Sequence, residues 1–326
     1  MMRVEWPTAG RGPLRELRVL DLSQQLPGPY AGLLLAEQGA AVVKVDPPGG
    51  DAAAQIDPEM HVRLNDRKRT IRVDLKTEAG RTHVLTLARE AHMVIQSWRP
   101  GVAERLGVAP AMLSAVNPRL VVAVITGWGK EGPAAGRGAH DINAQAAVGA
   151  LDAISSLERT GVPWVDLATG VLAAFAMTAA WHAGEAGVLE IGMLDAAAAW
   201  TAIKPKAVTV REPAYGVFRA GDGRRFALGV LEDAEWRRLC DGLDWPELAD
   251  VGVGERNDRF DELRVRVEAA FAALDEAGIA ALAERSGVLL TFFDPVDAAT
   301  AEQLRLRGYG PDAARRRQIS EIQPWA

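Results

Sequence analysis

Cysteine is almost absent from this chain, which has a single one, Cys240, among its 326 residues. A disulfide needs two cysteines and a thiolate metal cluster needs several, so the chain has neither of them internally. No two histidines have the spacing of metal ligands, and we predict no metal site. We interpret Cys240 as an inert, half-buried thiol, and this cysteine usage is typical of the reducing cytoplasm.

Long apolar runs are also missing. Residues 1–13 lack the apolar core of a signal peptide. The longest alanine-rich apolar stretch, residues 171–183, is interrupted by Trp181 and His182 and is shorter than the roughly 20 residues that a membrane span needs. We therefore expect this stretch to be a buried helix in a cytoplasmic protein that does not interact with membranes.

An excess of positive charge is the third absence. Lysine and arginine number 37 against 43 acidic residues, for a net charge of −6, so the overall field does not attract nucleic acid. An anionic ligand must then be bound by local clusters, of which RLNDRKR (63–69) and WRPGVAER (98–105) are the strongest. Arginine forks and lysines suit phosphate groups, although a solvated surface run is the alternative interpretation.

What the chain does have, over its first 200 residues, is an alternation of strand and helix patterns. Residues 18–23 (RVLDLS) and 41–46 (AVVKVD) read as strands on either side of a helical stretch at 30–38, which is a βαβ unit. The pattern continues through strands at 93–96 and 120–126. We predict an α/β fold with a Rossmann-like large domain built on a parallel, doubly wound sheet.

After Pro205 the pattern changes. Residues 217–220 and 224–230 are β-like and flank the hairpin signal Gly221-Asp222-Gly223. Helical stretches follow, and then a strand at 288–293. We predict a large domain over residues 1–205 and a smaller α+β domain over 206–298.

A glycine-rich segment, GWGKEG at 127–132, matches the dinucleotide-binding pattern and follows a strand. That pattern needs a helix to begin at its last glycine, but residues 133–138 continue as loop and offer no helix N-terminus to a pyrophosphate. We interpret the glycines instead as allowing close approach of the backbone to a ligand or to another chain.

Two residues near this loop are candidates for chemistry. His140 follows the loop, on the side where open α/β sheets place ligands, and a surface or capping histidine is the alternative. Asp141 is expected to cap a helix over residues 142–148. Asp166 opens the alanine-rich helix, where a carboxylate is favoured by the helix dipole, and a plain N-cap is the alternative.

Together these segments resemble the class III CoA-transferase family, the CaiB/BaiF group, which also contains formyl-CoA transferases and α-methylacyl-CoA racemases. The matching segments stand in family order and cover most of residues 14–200. They are LRVLDLSQQLPGPYAGLLLAEQGAAVVKVDPPGGD, LNDRKRTIRVDLKTEAGR, QSWRPGVAERLGV, NPRLVVAVITGWGKEGP, AHDINAQAAVGAL and VDLATGVLAAF. Residues 206–298 resemble the small domain of the family more weakly, through YGVFRAGDGRRFALGVLEDAEW.

The resemblance implies that residues 299–326 complete the large domain and that two subunits form an interlocked homodimer with the active site at their interface. It implies an acyl-CoA thioester as ligand, with coenzyme A as part of the substrate and no prosthetic group. Coenzyme A is expected along the large domain, where the resemblance points to the following residues: Gln25, Leu26, Pro27, Leu64, Arg67, Lys68, Ser97, Trp98, Arg99, Arg105 and Arg137.

The resemblance also assigns catalytic residues. Asp166 stands at the aspartate that transferases use as a nucleophile, forming a mixed anhydride, and that racemases use as an acid/base. His140 in AHDIN resembles the racemases' histidine and would complete a pair of bases, and Glu232 resembles the glutamate that supports it. Leu26 stands where formyl-CoA transferases have glutamine.

Three functions follow from these assignments. The first is racemisation of a 2-methylacyl-CoA by α-proton transfer through an enolate, which the histidine favours. The second is CoA transfer between carboxylic acids through an Asp166 anhydride, which the wording VDLATG (165–170) favours. The third is a non-catalytic acyl-CoA-binding relative, in line with Pro47 at a place where several members carry a CoA-contacting arginine.

Overall fold

Six parallel strands form the centre of the N-terminal unit in the computed structural model, which describes residues 6–148, 150, 162–202, 212–294, 298 and 302. Their order across the sheet is β3-β2-β1-β4-β5-β6, and each neighbouring pair is parallel. The predicted parallel, doubly wound α/β fold is confirmed. The strands are β1 Arg18–Asp21, β2 Ala41–Asp46, β3 Arg69–Arg72, β4 Met93–Gln96, β5 Val121–Thr126 and β6 Gly187–Gly192.

Helices cover both faces of this sheet. They are α1 Pro27–Glu37, α2 Ala53–Ile56, α3 Pro58–Asn65, α4 Glu78–Glu90, α5 Val102–Arg105, α6 Pro110–Val116, α7 Asp141–Ala147, α8 Trp164–Ala183 and α9 Met193–Ala202. Side chains alternate across each strand, so Val19 and Val42 join the core under α1 and α8, while Leu20 and Val43 join the core under α4 and α6. Burial on both faces explains why these strands read as continuous apolar runs.

Strand order reverses between β1 and β4, and the loops that follow these two strands meet there. The Gln24 amide donates a hydrogen bond of 2.8 Å to Ser97 Oγ across the gap. In open α/β sheets ligands bind at this reversal, outside the carboxyl ends of the strands. The fold therefore places the loops that begin at Ser23 and Ser97 at the usual ligand position.

Helix α8 is long and apolar enough to cross a membrane by length and composition, a test that the core helix of a soluble protein also passes. Ala173 and Met177 lie on its buried face, in the core shared with α1 and β5. Val171 and Phe175 lie on the other face, where 41% and 70% of their surface is exposed. The expectation of a buried helix is thus right for one face only.

The second unit has its own antiparallel sheet. Strand β8, Arg225–Gly229, pairs with both β7, Tyr215–Arg219, and β9, Leu290–Asp294. The helices beside it are α10 Asp233–Leu243, α11 Val253–Asp258, α12 Phe260–Ala272 and α13 Glu276–Ser286. The predicted hairpin is confirmed, and Phe218, Phe226 and Phe271 pack together at the centre of the unit.

Cys240 is fully buried in the core of the second unit rather than half-buried. Burial raises the pKa of its thiol to about 12, so at neutral pH the reactive thiolate is scarce. Burial and the raised pKa support the interpretation of Cys240 as an inert thiol.

The chain divides into these two units, and the change from one to the other falls between Ala202 and Glu212. The domain boundary predicted at residue 205 falls outside the described residues, and so does the predicted completion of the large domain by residues 299–326, apart from Glu302.

Candidate active site

Asp166 lies in the first turn of α8, three residues after the N-cap position at Pro163. Proline has no side chain that can bond the free amides of the turn, and the cap is supplied from another helix. Asp141 Oδ1 accepts hydrogen bonds from the amides of Val165 (2.7 Å) and Asp166 (3.2 Å). The alternative that Asp166 is a plain N-cap is therefore wrong, and so is the expectation that Asp141 caps its own helix.

The position of this turn follows from the topology. The chain leaves β5 at the carboxyl edge of the sheet, and α8 then runs back to the amino end of β6. The first turn of α8 consequently lies at the carboxyl edge, the edge at which the loops after β1 and β4 also lie. Asp166 is thus on the ligand side of the sheet.

The electrostatics of Asp166 set it apart from an ordinary surface carboxylate. Burial raises the pKa of its carboxyl to about 7, and the neighbouring negative charge of Asp141 contributes to the rise. The helix dipole opposes this shift, but two amides of the turn already bond to Asp141. A carboxyl that titrates near neutral pH can both accept and donate a proton there.

His140 occupies the N-cap position of α7, next to Asp141 in the chain. Its amide donates a hydrogen bond of 2.9 Å to Asn143 Oδ1, and its side chain is exposed. Because Asp141 bonds the Asp166 amide, the backbones of His140 and Asp166 meet at one corner of the unit. Glu232 lies in the second unit, at the N-cap position of α10, and is exposed.

Close packing brings α8 against the start of α1. A Cβ atom added at Gly170 would lie 2.7 Å from the Pro27 carbonyl oxygen and 2.9 Å from Tyr30 Cδ1. Leu167, the neighbour of Asp166, packs on the buried side chains of Leu26 and Leu64. The structure therefore gathers three of the predicted ligand contacts, Leu26, Pro27 and Leu64, beside the first turns of α8.

Two cavities lie at the carboxyl edge of the sheet, and Trp98 lines both. The larger, of about 440 Å³, is also lined by Gln24, Asp46, Pro47 and Lys76. It falls within the size range of small-molecule sites, and Trp98 offers an aromatic face to it. The sequence carries no separate signal for Lys76, which stands in the matching segment LNDRKRTIRVDLKTEAGR.

The smaller cavity, of about 190 Å³, is lined by Arg99 and Lys130 besides Trp98. Arg99 packs on the glycine-rich loop, since a Cβ at Gly138 would lie 2.6 Å from its guanidinium. Ser97, Trp98 and Arg99 thus occupy the loop after β4, and their contacts with coenzyme A stay predictions. Arg67, Arg105 and Arg137 are exposed, and their contacts with coenzyme A stay predictions.

Lys68 is a correction. Its side chain is fully buried, with Nζ 2.9 Å from Asp21 Oδ2 and 2.6 Å from the Pro29 carbonyl oxygen. An ammonium group held this way is not available to a phosphate, so its prediction as a ligand contact is wrong. The sequence pattern misled because a basic run does not show that one of its members turns inward to an aspartate at the end of β1.

The glycine-rich loop lacks the helix that a dinucleotide site requires. The next helix, α7, begins only at Asp141, which confirms the prediction that residues 133–138 offer no helix N-terminus. The loop closes on itself through a 3.1 Å hydrogen bond from Trp128 Nε1 to the Gly138 carbonyl oxygen. Glu190 on β6 accepts a hydrogen bond of 2.5 Å from the Lys130 amide and thereby fastens the loop to the edge of the sheet.

The profile of CoA-transferase family III matches residues 14–316. The chain belongs to this family. The resemblance found in the sequence is thereby confirmed, including the group of transferases and racemases that it named.

The relatives include proteins named as transferases and one named as a racemase. The probable fatty acyl-CoA transferase Rv3272 of Mycobacterium tuberculosis is 31% identical, over 85% of this chain and 81% of that protein. Acetyl-CoA:oxalate CoA-transferase of Acetobacter aceti is 30% identical, over 92% and 86%. Human alpha-methylacyl-CoA racemase is 30% identical, over 72% and 69%.

The fold agrees with these relatives. A crystal structure of the M. tuberculosis protein Rv3272 superimposes with a TM-score of 0.79 at 30% identity, covering 90% of this chain and 88% of that one. The family-level assignment therefore rests on sequence and fold together.

Proposed function

We propose that this protein acts on acyl-CoA thioesters, with Asp166 as the reacting carboxylate. The observation that carries the proposal is the trans cap: Asp141 bonds the amides of the first turn of α8, so the Asp166 carboxyl is not used for capping. That carboxyl lies at the carboxyl edge of the sheet, on a helix packed beside the turn at Leu26 and Pro27.

CoA transfer between carboxylic acids is the reaction that this geometry supports best, because it needs one reacting carboxylate. Asp166 attacks the thioester carbonyl, the carbon–sulfur bond breaks, and CoA thiolate leaves an acyl-aspartyl anhydride. The thiolate then attacks the aspartyl carbonyl and releases the first acid. An incoming carboxylate then attacks the aspartyl carbonyl and displaces the CoA thiolate. The thiolate attacks the carbonyl of the new acyl group, which forms the new thioester and restores Asp166.

The names of the relatives support the same reaction, since two of the three are CoA-transferases. The raised pKa of Asp166 adds a requirement, because only the ionised carboxylate is a nucleophile. Transfer should accelerate as the pH rises through about 7 and then level off.

Racemisation of a 2-methylacyl-CoA is the second candidate, and two observations favour it. Asp166 titrates near neutral pH, as an acid/base should, and His140 lies at the same corner of the unit. In this reaction one group removes the α-proton and the other returns it on the opposite face, through an enolate. One of the relatives is a racemase.

Coenzyme A is the expected ligand of the 440 Å³ cavity, as part of the substrate and not as a prosthetic group. Trp98 offers an aromatic face for the adenine ring, and Lys76 offers a cation for phosphate groups. Pro47 lines the same cavity, so it contributes apolar surface at a place where an arginine would contribute charge.

One pair of assays separates the candidates. Incubation with acyl-CoA followed by hydroxylamine and peptide mass spectrometry should detect modified Asp166 in a transferase, and Asp166→Ala should abolish transfer. Deuterium wash-in at the α-carbon in heavy water should occur in a racemase. Stabilisation by CoA with neither result would indicate a non-catalytic binding protein and would overturn both reactions.

Asp195 offers a matched control for Asp166. It is the third residue of α9, as Asp166 is the third of α8, and its carboxylate accepts a hydrogen bond from the Gly192 amide. Asp195→Ala should leave turnover within a few-fold of the wild type. An equal loss in both variants would show that the effect comes from the helix start and not from the reacting group.

A second copy of the chain is the partner that we propose for the exposed face of α8. Phe175 and Val171 there expose more apolar surface than a helix facing water needs. Light scattering of the wild type should give twice the mass of the chain. The Phe175→Glu variant should give the mass of a single chain. A monomeric wild type would contradict the homodimer.

A further inference from the structure

Gln25 has a backbone conformation that few side chains adopt. Its φ is +68°, in the left-handed region, and only one other non-glycine residue of the described chain, Asp244, has a positive φ. Asp244 ends α10 as a left-handed C-cap, which is a common use of that conformation. Gln25 ends no helix, and its side chain is exposed. Such strain persists only where the surroundings enforce it, and it concentrates at functional sites.

A buried carboxylate contacts the backbone of Gln25. Both oxygens of Asp51 lie 3.2 Å from the Gln25 amide, and Oδ1 also accepts a hydrogen bond of 3.0 Å from the Ala53 amide. The Asp51 side chain is fully buried. The amide of the strained residue is thus fixed by a charged acceptor, which forms stronger hydrogen bonds than a neutral one.

A buried lysine holds this carboxylate and the turn together. The side chain of Lys44 is fully buried, with Nζ 3.7 Å from Asp51 Oδ2 and 2.7 Å from Asp46 Oδ1. Nζ also donates a hydrogen bond of 2.5 Å to the Ser23 carbonyl oxygen. Lys44 therefore contacts the chain two residues before Gln25, while Asp51 contacts Gln25 itself.

The turn held in this way borders the larger cavity. Gln24, next to Gln25, lines the cavity, and so does Asp46, the partner of Lys44. The Gln24 amide is bonded to Ser97 Oγ across the strand reversal. Buried ion pairs contribute little net stability, so a role in fixing one conformation explains this network better than a role in stability.

We propose that Asp51 and Lys44 are positioning residues that hold Gln25 in its left-handed conformation, so that the turn over residues 23–26 is shaped to bind acyl-CoA. The functional part rests on the proposed acyl-CoA chemistry, while the structural part stands on the contacts above. Asp51 and Lys44 need no contact with the ligand, because they act through the backbone of the turn.

Asp51→Asn tests the proposal, because it keeps the shape of the side chain and removes its charge. If the turn is then correctly formed in one molecule in ten, the dissociation constant for CoA rises about tenfold, since apparent affinity scales with the competent fraction. Gln25→Asn keeps a carboxamide and adopts the left-handed region more readily. The double variant Asp51→Asn/Gln25→Asn should therefore recover most of the lost affinity in calorimetric titrations with CoA.

Asp275→Ala is the matched control for loss of stability alone. Asp275 caps α13 in the second unit, through a hydrogen bond of 2.8 Å from the Gly278 amide. It should lower the melting temperature and leave CoA binding unchanged. The proposal would be overturned if the Asp51→Asn variant had a lower melting temperature but bound CoA as tightly as the wild type. If Asp51→Asn does not fold, Gln25→Val serves instead, because a β-branched residue resists this conformation, and unchanged affinity would again overturn it.

Amide hydrogen exchange separates the two levels of the proposal. The Gln25 amide should be protected in the wild type and exchange about tenfold faster in Asp51→Asn. An equal exchange rate of the Gln25 amide in both proteins would contradict the positioning role. A protected turn in a wild type that binds no CoA would instead sink the proposed acyl-CoA function and leave the structural role in place.

Discussion

Two carboxylates share the corner where α7 meets α8, and they are used differently. Asp141 accepts hydrogen bonds from two backbone amides and thereby caps α8. Burial and the neighbouring negative charge both disfavour the ionised form of the Asp166 carboxyl. Neighbouring groups of one chemical type thus acquire separate roles from their surroundings, as acid/base and nucleophilic sites require.

Asp166→Asn should stabilise the fold at neutral and alkaline pH. The carboxyl has a pKa of about 7 in the folded protein, above its ordinary 3.8, so the folded state binds the proton more tightly than the unfolded state. Below about pH 4 both states are protonated and the variant gains nothing. Above pH 7 it should gain on the order of 2 kcal/mol, discounted for residual solvent screening.

Thermal unfolding from pH 4 to pH 8 measures this gain. The melting temperature of the variant should exceed that of the wild type by an amount that increases as the pH rises and stays constant above about pH 7. A variant that is less stable than the wild type at pH 8 would contradict the raised pKa.

Asp141→Asn should lower the pKa of Asp166, because it removes a neighbouring negative charge and keeps an acceptor oxygen for the cap. The fall should be partial, because burial contributes more to the raised pKa than the Asp141 charge does. Carboxyl carbon NMR of labelled aspartate measures it without substrate. Asp141→Ala should in addition lose the cap and about 1 kcal/mol of stability. An Asp166 pKa that does not move in Asp141→Asn would show that burial alone sets it.

At the scale of elements, the crossing of α1 and α8 fixes the distance between the turn over residues 23–26 and the start of α8, which carries Asp166. Gly170 makes the approach possible, since any side chain there would meet the backbone of Pro27. The sequence predicts both helices but not this crossing. Gly170 stands within the alanine-rich run and carries no local signal for close packing.

Gly170→Ala should therefore destabilise the fold by about 1–3 kcal/mol, the usual cost of overpacking a tight interface. Gly254→Ala is its control, because Gly254 also lies within a helix, α11, and an added Cβ would meet nothing within 4 Å. That change should be neutral or stabilise by about 0.5–1 kcal/mol. Chemical denaturation measures both. Equal effects at the two glycines would contradict the close crossing.

Secondary structure in the first unit was predictable because buried parallel strands are continuous apolar runs. Strand β3 escaped prediction, since three of its four residues are exposed and two of them are arginines. The same charge pattern made Lys68 look like a ligand contact. A fully buried lysine can be recognised only when its partner, Asp21, is known to lie beside it.

The site was predictable in part. The family resemblance points to Asp166, His140 and the loops that begin at Ser23 and Ser97, and topology brings these loops to one edge of the sheet. The trans cap by Asp141 was not predictable, because Asp141 precedes Val165 by 24 positions and Asp166 by 25 positions in the sequence. Nor was the strain at Gln25, since glutamine carries no preference for a positive φ.

At the scale of the whole molecule, each unit has its own core, and that of the second depends on a buried charge. Arg256 is fully buried and donates to Glu212 Oε1 and Asp233 Oδ1, each at 2.7 Å, and to the Val251 carbonyl oxygen at 2.8 Å. Its guanidinium also lies 5.2 Å from the centroid of the Trp236 ring. Removal of this one side chain leaves a buried carboxylate without its cation.

Arg256→Ala should destabilise the second unit by about 3–5 kcal/mol, the usual cost of breaking a buried ion pair from one side. Arg256→Met combined with Glu212→Leu should recover much of that loss, because no charge is then left buried. Amide exchange should accelerate in β7, β8 and β9 and stay unchanged in β1, β4 and β5. Acceleration in both sheets would show that the two units unfold as one.

The burial of Cys240 leaves the folded protein without a thiol that common alkylating reagents reach. A cysteine introduced at an exposed position would react alone, so fluorophores or spin labels can be attached at chosen sites without first removing the native residue. Distances between labelled positions within the first unit, followed while an acyl-CoA is added, would then report whether the loops at the carboxyl edge of its sheet move.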